Sequence, residues 1–273
     1  MLLSYEQFRE ILNRRIKNGN DFYLELLETV IDNPNRYCGL FRLTNAKTKL
    51  IQNTTQSQEI KFGDFMEEIA TLYIDLLGYD NLNKDLGFDE NGDRLNADQV
   101  FTDGTRIFLV EQKVRDDHDS TKKRGQFANF IKKVNLLKKQ YPNKPLTAIM
   151  WFIDNGLIKN KNYYQQEMDK MTYDNVEVYL YYGGDFFNTL NNGSEVWAEI
   201  LDYLAKNRME SSREVLSIPN FGTSEDIYNA LLKLPPKYWF KLLSNDDKYV
   251  LLRRELFADG DNLKKAKDVL GYN

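Results

Sequence analysis

The chain has 273 residues, 42% hydrophobic and 29% charged, with only six Pro: a globular composition, long enough for one large or two small domains. One Cys (Cys38) and one His (His118) exclude an intramolecular disulfide, a multi-Cys zinc site and a multi-His metal site within one chain. The net charge is −4, but ten Lys or Arg and four Asp or Glu fall between Arg106 and Lys139, a local +6 that leaves about −10 elsewhere. Such a stripe is either a solvated helix face or a phosphate-binding surface. No run of about 18 apolar residues indicates a membrane span. The N-terminal MLLSYEQFREILNRR lacks the apolar core of a signal peptide, so a cytoplasmic address is expected.

The spacing of apolar residues predicts one or two amphipathic helices over residues 4–32, broken at Asn33-Pro34-Asn35. Residues 37–60 are mixed, and Asn53 to Ser57 (NTTQS) reads as a loop. A helix is expected from Gly63 to Leu77, with Phe65, Ile69, Leu72, Tyr73 and Leu76 on one stripe. Residues 80–97 are polar and read as a loop with short extended pieces. Two strands follow around Thr102-Asp103-Gly104-Thr105, with Asp-Gly as the hairpin signal. A long helix is expected over 121–141, ended by Pro142 and Pro145, then a buried strand at Leu146 to Ile153. Further along come a helix near 161–171, a strand at Val176 to Tyr182, and helices near 184–190 and 194–206. This order predicts an α/β (α+β) fold: a central mixed sheet flanked by helices, with a helical C-terminal part. Residues 207–223 read as a linker, which divides the chain into residues 1–210 and 211–273. Helices are expected near 224–233, 236–244, 246–258 and 262–269, supporting a dimer or gripping a ligand without carrying chemistry.

The hairpin carries the chemical signal. Leu109, Glu111 and Lys113 share one face of a strand and Gln112 takes the other. With a two-residue turn at Asp103-Gly104, Asp98 faces Leu109 and has Glu111 as a diagonal neighbour, about 7–8 Å away. A four-residue loop centred there keeps the facing, and a three-residue loop would break it. Asp98, Glu111 and Lys113 thus converge at the end of an apolar strand, where charge is costly to bury without a purpose. Two carboxylates suit a hard cation such as Mg²⁺, and a nearby Lys suits water activation or phosphorane stabilisation.

Asp98 followed by Glu111-Gln112-Lys113 resembles the PD-(D/E)xK nuclease motif, with Ala97 standing where the motif has Pro. Gly63 to Glu67 resembles the G-x-x-x-E helix that precedes it in many members, and Gln126 lies early in the helix that follows. Within the superfamily the chain is similar to a type II restriction endonuclease, and the segment from Gly183 to Trp197 resembles a stretch found in some of these enzymes. The resemblance implies a restriction-endonuclease-like core and a Mg²⁺-dependent, sequence-specific double-strand DNA endonuclease. It further implies 5′-phosphate products, a homodimer, and a cognate DNA methyltransferase in the same system. It implies Asp98, Glu111 and Glu67 as metal ligands and Lys113 as the catalytic lysine. The adjacent Glu68, nearer the apolar stripe, competes with Glu67 for the third place. Arg115, Lys122, Lys123 and Arg124 lead away from the motif strand and are expected at the DNA. A repair or junction-resolving nuclease and a catalytically silent DNA-binding module are the alternatives. A Cys38–His118 nucleophile pair has no local support, and Trp151, Trp197 and Trp239 sit in apolar patterns that read as core.

Overall fold

The computed structural model describes residues 1–16, 20–210 and 219–272. The chain forms two compact units, one from Met1–Ile11 and Gly63–Glu210, the other from Leu12–Phe62 and Ser211–Asn273. Among the described residues no helix is long and apolar enough to cross a membrane.

The first unit holds a five-stranded sheet in the order β1 (Asp80–Asn81), β4 (Gln99–Thr102), β5 (Ile107–Lys113), β6 (Leu146–Phe152) and β7 (Val176–Tyr182). The β1–β4 and β4–β5 pairs are antiparallel, and β5–β6 and β6–β7 are parallel. A separate ribbon pairs β2 (Asp85–Phe88) with β3 (Arg94–Asn96). The expected mixed sheet flanked by helices is what forms. Every residue of β6 is buried, as a central parallel strand covered on both faces requires. Helix α5 (Ser120–Gln140) lays Phe127, Phe130, Val134 and Leu137 over Leu109, Ala148, Met150 and Phe152. Asp119 caps it, its carboxylate accepting from the Thr121 and Lys122 amides. One residue out of phase, Phe101, Phe108 and Trp151 face the other way. There Phe101 stacks on Phe108 with centroids 4.7 Å apart, and Trp151 meets Phe186 at 4.6 Å. Helices α6 (Lys161–Met168), α7 (Asp185–Asn188) and α8 (Val196–Glu210) complete this unit.

The hairpin register differs from the two-residue turn expected at Asp103-Gly104. Thr102 pairs with Ile107, which leaves a four-residue loop from Asp103 to Arg106. Asp103 holds it open, its Oδ1 accepting from the amides of Thr105 and Arg106. The shift is by an even number, so the facing survives, and Asp98 moves from opposite Leu109 to opposite Glu111.

The second unit is helical. The apolar stripe of α2 (Asn20–Asp32), with Leu27, Val30 and Ile31, shares one core with α9 (Glu225–Lys233), α10 (Pro236–Leu242), α11 (Asp247–Leu256) and α12 (Asn262–Leu270). Trp239 is fully buried there. Residues 12–62 therefore pack with the C-terminal helices and not, as the division at 210/211 had them, with the sheet. The reason is the complementary stripe of Ile227, Ala230 and Leu231 on α9. That boundary and the middle of the expected 207–223 linker lie outside the described residues, while residues 207–210 complete α8. After α1 (Tyr5–Arg15) and α3 (Pro34–Tyr37), α4 runs unbroken from Ala46 to Leu76, straight through the NTTQS stretch expected as a loop. No Gly or Pro interrupts that stretch, and burial of Thr54 and Leu50 anchors the turn around it. Thr55 is exposed on this helix, so Thr55→Pro should destabilise the protein by about 3 kcal/mol in urea unfolding. A loop at this position would accept the substitution with little change.

Candidate active site

The sheet brings Asp98, Glu111 and Lys113 together. The Lys113 Nζ lies 2.7 Å from Glu111 Oε1, 3.2 Å from Asp98 Oδ2 and 2.8 Å from the Gln112 carbonyl oxygen. Asp98 sits just before β4, and its Oδ2 also accepts from the Gln112 amide at 2.6 Å, which locks it to the end of β5. Glu111 is almost fully buried, whereas the Asp98 and Lys113 side chains keep 23% and 28% of their surface, so the cluster opens to solvent on their side. Burial acts to lower the Lys113 pKa, but the two carboxylates outweigh it and hold the ammonium above the ordinary lysine value. The lysine is thus charged around neutral pH and bound by three oxygens.

A fourth charged residue joins them that the sequence reading missed. Lys133, on α5 and buried, donates to Glu111 Oε2. A signal for it was present: Lys133 falls three residues after Phe130 and four before Leu137, on the apolar stripe of its helix. A cation at a core position requires a buried anion to meet it. Glu111 therefore holds one ammonium on each oxygen.

Glu67 does not join this cluster. Its carboxylate pairs with Lys84 at 2.8 Å, and Lys84 also reaches Thr71 Oγ1. The cause is strand parity. Gln99, next to Asp98, is the residue that turns toward α4, bonding Thr71 and the Glu67 carbonyl oxygen. Asp98 consequently faces the α5 side, away from the turn that carries Glu67. Among the described residues no three acidic, His or Cys side chains are grouped to hold a metal. Oxygen donors of the right kind do surround a cation here. The Lys113 ammonium is itself a positive group caged by a carboxylate oxygen from Asp98, another from Glu111 and a backbone carbonyl. Hard oxygen donors of this kind fit a divalent cation of the Mg²⁺ class.

Gln112 points to the opposite face, where its side chain is buried and its Oε1 has no hydrogen-bond partner among the described residues. Beyond the strand the backbone is pinned by Asp116, which is fully buried. It accepts from the Asn160 amide and side chain at 2.8 Å each and from the Tyr182 hydroxyl at 2.9 Å. Arg115 is half-buried. Lys122 and Arg124 lie on the first turns of α5, and Lys123 is 4.5 Å from the Tyr163 ring centroid. Among the described residues none of these three pairs with a carboxylate, although the positive end of the helix dipole disfavours cations there. The rest of the basic stripe is internally occupied: Lys132 pairs with Asp89, Lys133 with Glu111 and Lys139 with Glu90. His118 is held below the ordinary imidazole value by burial and by Lys122. The Cys38 thiol donates to the Pro34 carbonyl oxygen, and burial pushes it up to about 11, so it is no thiolate nucleophile. The stretch from Gly183 to Trp197 is a packing module. Trp151 Nε1 donates to the Gly183 carbonyl oxygen at 2.8 Å, and a Cβ on Gly184 would come within 2.7 Å of the Trp197 ring.

A mixed sheet whose hairpin ends in an aspartate opposite Glu-Gln-Lys, with helices on both faces, defines a nuclease core of the restriction-endonuclease type. The family model described as "Type II restriction endonuclease, HinfI" matches residues 4–89 and 81–207, most of the chain, and the chain belongs to that family. It is a type II site-specific deoxyribonuclease, a DNA-binding hydrolase of a restriction–modification system. Enzymes of this family generally use a divalent metal. No curated protein and no solved structure gives a significant match.

The Lys133–Glu111 pair is a buried, charge-assisted contact, so Lys133→Met should lower the unfolding free energy by about 1.5–3 kcal/mol. The exposed pair of Lys139 with Glu90 serves as the comparison, and Lys139→Met should cost no more than about 1 kcal/mol. Equal costs in denaturant titrations would mean that Lys133 does not compensate Glu111.

Proposed function

We propose that the enzyme cuts both strands of duplex DNA with Mg²⁺ held by Asp98 and Glu111, and that Lys113 serves the chemical step. The observation that carries this reading is the Lys113 ammonium between the Asp98 and Glu111 carboxylates at the mouth of the hairpin. Mg²⁺ bound by these carboxylates would supply Lewis acidity at a phosphoryl oxygen and a water of lowered pKa. Asp98 and Glu111 contribute the negative charge that draws the cation in. Lys113, released from them, donates to the attacking water or to the charge growing on the phosphoryl oxygens. The new bond joins the water oxygen to phosphorus, and the bond to the 3′ oxygen breaks. The strand ends carry a 5′-phosphate and a 3′-hydroxyl. Lys133 stays on Glu111 Oε2 and fixes the direction in which Oε1 points. Glu67 takes no part while Lys84 holds it.

Arg115, Lys122, Lys123 and Arg124 contact the DNA backbone beside the scissile bond in this reading. That none of the last three has a carboxylate within ion-pair distance among the described residues supports it. The enzyme works in the cytoplasm as a homodimer, matched to the two strands of its substrate, with a methyltransferase protecting the host's own sites.

Asp98→Asn and Glu111→Gln should shift the Mg²⁺ dependence of single-turnover cleavage to higher concentration. Lys113→Ala should leave metal and DNA binding intact while cleavage slows by on the order of 10²–10³. Normal cutting by Lys113→Ala at saturating DNA would defeat the assignment. Replacing Lys122, Lys123 and Arg124 together with Ala should flatten the plot of log affinity against log salt by about 0.9 for each phosphate no longer neutralised. An unchanged slope would make these residues a solvated helix face.

A further inference from the structure

The helical unit carries an exposed apolar turn that none of the proposed catalytic residues belongs to. Between α3 and α4 the Arg42 amide donates to the Gly39 carbonyl oxygen at 3.1 Å, closing a β-turn whose two central residues are Leu40 and Phe41. Gly39 takes the positive φ of +137° that starts it. Leu40, Phe41 and nearby Leu43 are essentially fully exposed, at 99%, 98% and 105% of their reference areas. Turn tips are ordinarily built from Gly, Pro, Asn, Asp or Ser. Two large apolar side chains at the tip of a closed turn, with Leu43 just beyond it, form an exposed apolar patch of the kind that marks interaction surfaces.

The surrounding charge selects the partner. From Asn33 to Gln58 the sequence contains no Asp or Glu, in a chain where 41 of 273 residues are acidic. The same stretch holds Arg36, Arg42, Lys47 and Lys49 among many Asn, Gln, Thr and Ser. Arg42 donates through Nε and Nη2 to the Asn35 carbonyl oxygen, and Arg36 donates to Asn53 Oδ1 at 3.4 Å. Both guanidiniums are held by neutral oxygens, so their charge is uncompensated among the described residues. Together with Lys248 they line an open, mainly polar concavity of about 370 Å³. Its one carboxylate, Asp32, is already paired with Lys241 at 2.7 Å. A cationic hollow beside an apolar tip suits a duplex, with backbone phosphate in the hollow and apolar side chains against bases in a groove.

We propose that the Gly39–Arg42 turn is a DNA-contact element of this enzyme: Arg36 and Arg42 take a backbone phosphate, and Leu40 and Phe41 enter a groove. This rests on the deoxyribonuclease assignment but not on which residues perform catalysis. A second copy of the chain is the competing occupant of the apolar tip.

The test uses the full chain without metal, a short fluorescent duplex, a salt titration of binding by anisotropy, and sedimentation velocity without DNA. Two double variants are compared with the parent, Arg36→Ala with Arg42→Ala, and Leu40→Ser with Phe41→Ser. All four positions are exposed, and thermal melts should match the parent. The guanidinium variant should lower the slope of log affinity against log salt by about 0.9–1.8, as one or two phosphates go unneutralised. The apolar variant should bind on the order of tenfold more weakly with the slope unchanged. Sedimentation should be unaltered in both. Parent-like binding by either variant overturns the proposal. A changed sedimentation coefficient in the apolar variant also overturns it, because the turn then joins two copies of the chain. Cleavage by the Lys113→Ala variant bears only on the catalytic reading and leaves this result untouched.

Discussion

The buried carboxylate of Glu111 is the constraint around which the sheet unit is arranged. An ionised carboxylate at the end of an apolar strand, between packed helices, is tolerated only when its oxygens are met by charge. Lys113 meets one oxygen from the same strand and Lys133 meets the other from α5. These contacts fix the end of β5, the rotation of α5 about its axis, and the entry of the hairpin through Asp98. The arrangement balances two negative charges against two positive ones.

Geometry on either side of this cluster follows from parity. Glu111 faces α5, so Gln112 faces α4. Asp98 faces with Glu111, so Gln99 faces α4 and bonds to Thr71 and the Glu67 backbone. The sheet thus separates a charged, solvent-open side that carries Asp98, Glu111 and Lys113 from an amide-rich side that joins it to α4. Glu67 lies on the wrong side of that division, and Lys84 takes up its charge.

Much of this was legible in the sequence. Alternation along Ile107 to Lys113 gave the facing of Glu111 and Lys113, and the placing of the four-residue loop at 103–106 left it intact because the register shift was even. Apolar period and breakers located the helices after residue 120. Three things were less accessible. The helix through Asn53 to Ser57 is made of residues with weak helical preference and is held by burial of Thr54, which no local pattern reveals. The union of α2 with the C-terminal helices is a long-range pairing of stripes, each of which fits several partners. Lys133 was counted as one basic residue of a stripe, although its place on the apolar face set it apart from Lys132 and Lys139. Among the described residues Lys122, Lys123 and Arg124 at the start of that helix have no carboxylate within ion-pair distance, whereas Lys132, Lys133 and Lys139 do.

Asp116 gives the Lys113 end of the sheet a further property. Its carboxylate is sealed from water and tied to the Asn160 amide, the Asn160 side chain and the Tyr182 hydroxyl. The backbone that leaves the motif strand and leads to α5 is therefore fastened to two distant parts of the chain and has little freedom to adjust. A duplex pressed against it meets an anvil. Under the proposed role of Lys113, whatever bending or untwisting brings a phosphate to it then falls on the DNA, where its cost depends on the stiffness of the base steps involved. Part of the choice of site would in that way be read from how readily a sequence deforms, at positions no side chain touches.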